Sequence, residues 1–213
     1  MIALSPPRIM CIMIRFMIYG FLLSGFLLTC RAGTVETTRQ QNSNEETSEA
    51  DSSLAAFSKA GETFWIERFE VSQISTKEFL VRQGLVPVTG INYAEAKEIC
   101  EARGLRICRL QEWKLACLGR SGHKFGYGSA EERSYCNVKG KGIEPTGYRV
   151  KCKSGTRIYD MVGNAGEWVF DERVDRPVVA GGSYADDPGV SCYTTVYSSP
   201  GLRELDVGVR CCK

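Results

Sequence analysis

The sequence predicts an α+β domain rich in irregular structure, and three observations lead there. Short stretches of strand-like and helix-like periodicity alternate in one region. A Gly-rich run with little regular patterning comes after them. Ten cysteines sit in a chain of only 213 residues, which is typical of small loop-rich folds stapled in an oxidising compartment. At this length there is room for one domain plus appendages.

Each element has its own local signal. Phe64 to Val71 (FWIERFEV) mixes apolar and charged residues as a half-buried strand does. Ser75-Thr76-Lys77-Glu78 has the S-x-x-E form of a capping box and predicts a helix that stops at Gly84. Asn92-Tyr93-Ala94-Glu95 is a second box, opening a helix through Cys100 that ends near Gly104. Leu110, Trp113 and Cys117 lie at helical spacing in a third helix closed by Gly119. Short strands are expected at Pro177 to Val179 and Val207 to Cys211. Trp65, Trp113 and Trp168 read as core aromatics, and His123 as a solvated loop residue.

Ahead of this region, Arg8 and Arg15 precede a thirteen-residue apolar run, Phe16 to Leu28. That length suits the apolar part of a signal peptide better than a membrane span, which needs ~20 residues. Leu27-Leu28-Thr29-Cys30 resembles a bacterial lipobox, so residues 1–30 are expected to be a lipoprotein signal with Cys30 the lipidated residue. A cut after Ala32, giving a secreted product, and an uncut anchor are the alternatives. Residues 31–57 are Ser/Thr/Glu-rich and predict a flexible tether, because they bury too little to offset chain entropy. The domain is then 58–213. Four of the 27 basic and five of the 25 acidic residues precede it, leaving 23 and 20. With no basic block in the sequence, nucleic acid is not expected as a partner.

Several segments resemble a known family. Asp160-Met161-Val162-Gly163-Asn164-Ala165-Gly166-Glu167-Trp168 is similar to its "D-M-x-G-N-V-W-E-W" signature. Gly104 to Trp113 is similar to "G-K-R-L-P-T-E-A-E-W". Gly181-Gly182-Ser183-Tyr184 and Gly208-Val209-Arg210 are similar to "G-G-S-W" and "G-F-R". These are marks of the formylglycine-generating enzyme, or sulfatase-modifying factor, family, and they run in order across nearly the whole domain. The resemblance implies a variant of the C-type lectin fold. It also implies an oxidase that holds Cu(I) on two thiols following the Gly-Gly-Ser segment, chemistry that suits soft thiolates. Here Asp186 stands where the first thiol belongs, and a single cysteine, Cys192, comes after it in that stretch.

The resemblance further implies disulfides Cys100–Cys211 and Cys117–Cys192, which leaves no thiol for copper. Eight cysteines allow about a hundred pairings. For the remaining four, Cys108 with Cys212 and Cys136 with Cys152 is the expected arrangement, against buried free thiols or a zinc site. Zinc is the weaker reading, with no C-x-x-C pair and one histidine. The family places calcium at the segment matching 160–167. The ligands here are the side chains of Asp160 and Glu167 and the carbonyls of Gly163 and Ala165, a hard-oxygen set. The alternative is a metal-free turn with Glu167 buried against a base such as Arg210. A second family calcium site, around Asn137 and Val138, lacks its acidic partner and is not carried over.

Two functions stay open. One is a non-catalytic binding or structural module, lipid-anchored in the bacterial cell envelope on its periplasmic or outer face, with no copper or iron. Its partner would be an envelope protein, peptide or glycan, and its candidate surface Ser183, Tyr184, Asp186, Asp187, Tyr193 and Tyr197. The other is an oxidoreductase of the family using a different metal, with Asp186 and Asp187 as ligands.

Overall fold

A computed structural model of the chain describes residues 53–59 and 61–213. The signal segment, Cys30 and the tether up to residue 52 lie outside the described residues.

Strand β1 (Leu54–Lys59) pairs antiparallel with β2 (Glu62–Glu67), Leu54 opposite Glu67 and Phe57 opposite Phe64. The domain boundary expected at 58 is therefore too late. Residues 54–57 sit next to a polar run that suggests tether, yet Ala55 is buried and Phe57 stacks on Phe64 at 5.3 Å. Within β2 the pleat turns Phe64 and Ile66 inward and leaves Trp65 at 40% exposure, so only Trp113 and Trp168 are core residues.

The helix expected after Ser75 is a hairpin instead: β3 (Ser72–Ser75) and β4 (Glu78–Leu80) pair antiparallel with an irregularity between Gln73 and Ser75. Too few residues separate the box from Gly84 to present a helical stripe. Phe79 and Val81 alternate like a strand and pack on the core.

The next box does cap a helix. The Asn92 side chain accepts from Glu95 N–H at 3.0 Å, and Glu95 accepts from Asn92 N–H at 2.9 Å, opening α1 (Tyr93–Ala102). A short strand β5 (Arg106–Ile107) leads to α2 (Leu110–Leu118), whose Glu112 accepts from Arg109 N–H at 3.0 Å. Gly119, at φ 62°, ends it.

The remaining strands are β6 (Gly166–Asp171), β7 (Arg176–Ala180), β8 (Thr195–Val196), β9 (Val207–Gly208) and β10 (Cys211–Cys212). Besides the β3-β4 hairpin there are two four-stranded sheets, one of order β1-β2-β10-β5 and one of order β8-β7-β6-β9, with β6 and β9 parallel. The single strand expected over 207–211 is split because Val209 and Arg210 pass from one sheet to the other. Two apolar clusters form the core. One gathers Ile66, Leu110, Trp113, Ile158 and Val178; the other gathers Val71, Ile99, Trp168, Val179 and Val209.

The structure pairs Cys100 with Cys211, Cys108 with Cys212, Cys117 with Cys192 and Cys136 with Cys152. Cα separations of 4.8 to 5.6 Å suit such links. Cys211 and Cys212 point to opposite faces of their strand, so one reaches α1 and the other the residue after β5.

Candidate functional site

Asp160, Gly163 and Ala165 lie on the bend that leads into β6, and Glu167 is the second residue of that strand. Asp160, Gly163 and Asn164 all have positive φ, 58°, 76° and 59°. The bend is pressed against its neighbours: a Cβ on Gly163 would lie 2.4 Å from the Asn137 carbonyl oxygen, so only glycine fits.

At the centre of the bend is a buried ion network. The Arg210 guanidinium, fully buried, donates to both oxygens of Glu167 from Nε at 3.0 and 3.1 Å and from Nη2 at 2.8 Å. Its other protons go to the carbonyls of Glu67 and Tyr159, each at 2.8 Å. Trp113 Nε1 donates to the second Glu167 oxygen at 2.5 Å. Glu67 accepts from Cys211 N–H at 2.9 Å and from Arg103. Glu70 accepts from Ala165 N–H at 3.1 Å and from Asn164 Nδ2 at 3.0 and 3.1 Å. Asp160 accepts from Gly147 N–H at 2.6 Å.

This charge distribution fixes protonation. Burial pushes Glu70 well above the usual carboxylate range, and the Asp160 charge adds to it. Burial likewise drives Asp160 up to about 7, against the pull of the Gly147 N–H and Arg210. Glu67 is also raised by burial, with Arg103 opposing. Burial works against the Arg210 charge, but Glu167 more than restores it. One guanidinium faces Glu70, Asp160 and Glu167, so the Glu70–Asp160 pair retains a proton near neutral pH.

The acidic side chains expected to hold calcium are engaged with protein donors. Both Glu167 oxygens are already filled by Arg210 and Trp113, and Asp160 holds a backbone N–H. The Arg210 guanidinium thus contacts both Glu167 oxygens, where the resemblance implied a calcium ligand. A buried acceptor without a hydrogen-bond partner, Asn137 Oδ1, does lie nearby.

The candidate surface at 183–197 divides into two parts. Ser183 is buried; its hydroxyl donates to Asp206 at 2.6 Å, and its N–H donates to Asp186 at 2.7 Å. Asp186 therefore turns inward, while Asp187 is exposed and pairs with Lys139 at 2.8 Å. The two acids serve different partners and do not converge. Tyr184 is half-buried. Tyr193 and Tyr197 face solvent, and the Arg176 guanidinium lies 4.8 Å from the Tyr197 ring.

Reading the sequence missed Glu67, Glu70, Arg103 and Asp206. Each looks like an ordinary surface charge, and their partners lie far along the chain; Glu67 and Arg210, for example, are 143 residues apart.

Two sheets, two short helices and long stapled loops define a C-type lectin-like domain of the formylglycine-generating-enzyme type. Within that class, residues 75–213 match the Sulfatase-modifying factor enzyme 1-like domain, and the chain belongs to this family. Treponema denticola variable protein 1 is similar in structure, with a TM-score of 0.57 at 18% identity over 71% of this chain and 84% of that one. CarF is similar with a TM-score of 0.55 at 18% identity, over 75% and 92% of the two chains. The Major Tropism Determinant M1 variant gives 0.51 at 12% identity, over 74% of this chain and 52% of that one. At these identities the likeness is one of fold. No curated protein matches the sequence significantly.

Proposed function

We propose that the chain is a non-catalytic binding module of the family, lipid-anchored through Cys30 in the bacterial cell envelope. The observation that carries this reading is the state of the cysteines: all eight in the domain are disulfide-bonded. A Cu(I) site needs two thiolates, and the residue in place of the first, Asp186, is engaged in holding Ser183. Anchoring rests on the apolar run and the Cys30 motif.

Thiol alkylation of the full chain under denaturing conditions, read by intact mass, tests the reading. No label on the eight domain cysteines before reduction, and eight labels after it, is expected. Two alkylatable thiols near Ser183 in the native protein, or stoichiometric copper, would overturn it.

A further inference from the structure

The sequence shows no basic block, yet the fold builds one. Residues 113–130 and 145–159 contain seven Lys and Arg and not one Asp or Glu. The loops within these stretches meet in space: a Cβ on Gly119 would lie 3.5 Å from Gly155 N, and one on Gly126 would lie 3.8 Å from Ser154 Cα. Arg120, Lys124, Lys151, Lys153 and Arg157 are all exposed there. None of the five forms an ion pair with a carboxylate among the described residues.

Three of the cations also rest against aromatic rings. Lys124 Nζ lies 5.0 Å from the Phe125 ring centroid, Phe125 stacks on Tyr127 at 5.9 Å, and Tyr127 meets Tyr135 edge-on at 5.1 Å. Lys151 Nζ then lies 4.6 Å from the Tyr135 ring. Lys153 Nζ sits 5.5 Å from Tyr159. Rings at these distances attract an ammonium group and restrain otherwise free lysines. Glu132 N–H donates to the Tyr127 hydroxyl at 3.0 Å, so Glu131 and Glu132, with Arg133 next in sequence, lie beside these rings.

We propose that this face binds an anionic polysaccharide. Five cations without a carboxylate partner, three of them restrained by aromatic rings, match a polymer with repeated sulfate, phosphate or carboxylate groups. A bilayer is less well matched, because Val150 is the one exposed aliphatic side chain between 145 and 159. The proposal deepens the binding-module reading and rests on it, while thiol counting tests that reading independently.

The test is binding of the full chain, in a neutral detergent, to immobilised heparin as probe and to dextran as uncharged control. Heparin is expected to bind and dextran not to. Log affinity should fall against log salt with a slope of roughly −3 to −4, at about 0.7 per neutralised group. Lys151→Glu/Lys153→Glu should weaken binding by at least about tenfold. Lys97→Glu, on α1, should leave it unchanged, with thermal midpoints confirming that all three proteins are folded. Equal binding to dextran, no binding to heparin, or insensitivity to the double reversal would overturn the proposal. So would reversal-sensitive binding to phosphatidylglycerol vesicles or to DNA in the absence of heparin binding.

Discussion

The buried Glu70–Asp160 pair makes stability depend on pH in a direction opposite to that of a salt-bridged carboxylate. In the folded chain Asp160 ionises at about 7 rather than 3.8. Below pH ~4 the group is neutral in both states, and its contribution is fully present. Between ~4 and ~7 the unfolded chain has released the proton and the folded chain has kept it, so stability falls as pH rises. At ~1.4 kcal/mol per pH unit the loss reaches about 4 kcal/mol, an upper value because the proton is shared with Glu70. Urea unfolding with disulfides intact, from pH 5 to pH 8, should show this decline. Asp160→Asn keeps an acceptor for Gly147 N–H and should remove at least half of it; adding Glu70→Gln should remove most of the rest, leaving the part that the raised Glu67 contributes. Wild-type stability that is flat or rising over this range, or an unchanged slope in the double variant, would refute the assignment of a retained proton.

Other outcomes rest on the same contacts. Replacing Cys136 and Cys152 together by Ser opens a loop with a sequence separation of 16 and should cost about 3 kcal/mol in urea unfolding. Asn92→Ala removes the cap on Glu95 N–H and should cost about 1 kcal/mol, read the same way. Calcium added in excess, or EDTA, should leave the thermal midpoint unchanged, whereas an ion bound at a hundredfold excess over its Kd would add about 2.7 kcal/mol.

Signals that act within a few residues were legible in the sequence. Asn92 and Glu95 close a cap by themselves, and Gly163 with Asn164 announces a bend, so α1 and the turn before β6 were readable, and the family signatures gave the fold. The Ser75-to-Glu78 segment carries the same pattern as the Asn92 cap, but the residues downstream of each box decide the outcome. Ten residues of helix can seat Ala96, Ile99 and Cys100 on the core, while the stretch before Gly84 can only alternate. Long-range charge was not legible. Glu67 and Glu70 look like the solvent face of a strand until Arg103, Arg210 and Asn164 arrive from elsewhere in the chain. The basic face was hidden for a related reason: Arg149 to Lys153 is locally basic, but Arg120 and Lys124 join it only through the fold.

Residues 210 to 212 tie the domain together. Arg210 joins Glu167 on β6 to the carbonyl of Glu67 on β2. Cys211 links to Cys100 within the second apolar cluster, and Cys212 links to Cys108 within the first. The guanidinium has a second task besides pairing, since its planar fork also satisfies the Tyr159 carbonyl. An ammonium group cannot reproduce that geometry. Arg210→Lys should therefore retain the charge and still destabilise the fold, and Arg210→Met should cost about 3–5 kcal/mol by stranding Glu167. Adding Glu167→Gln to Arg210→Met should recover part of that cost, because a neutral amide needs no counter-charge. If the double variant is less stable than Arg210→Met alone, Glu167 is held by its packing and its bond to Trp113, and the ion pair is not what locks the two sheets.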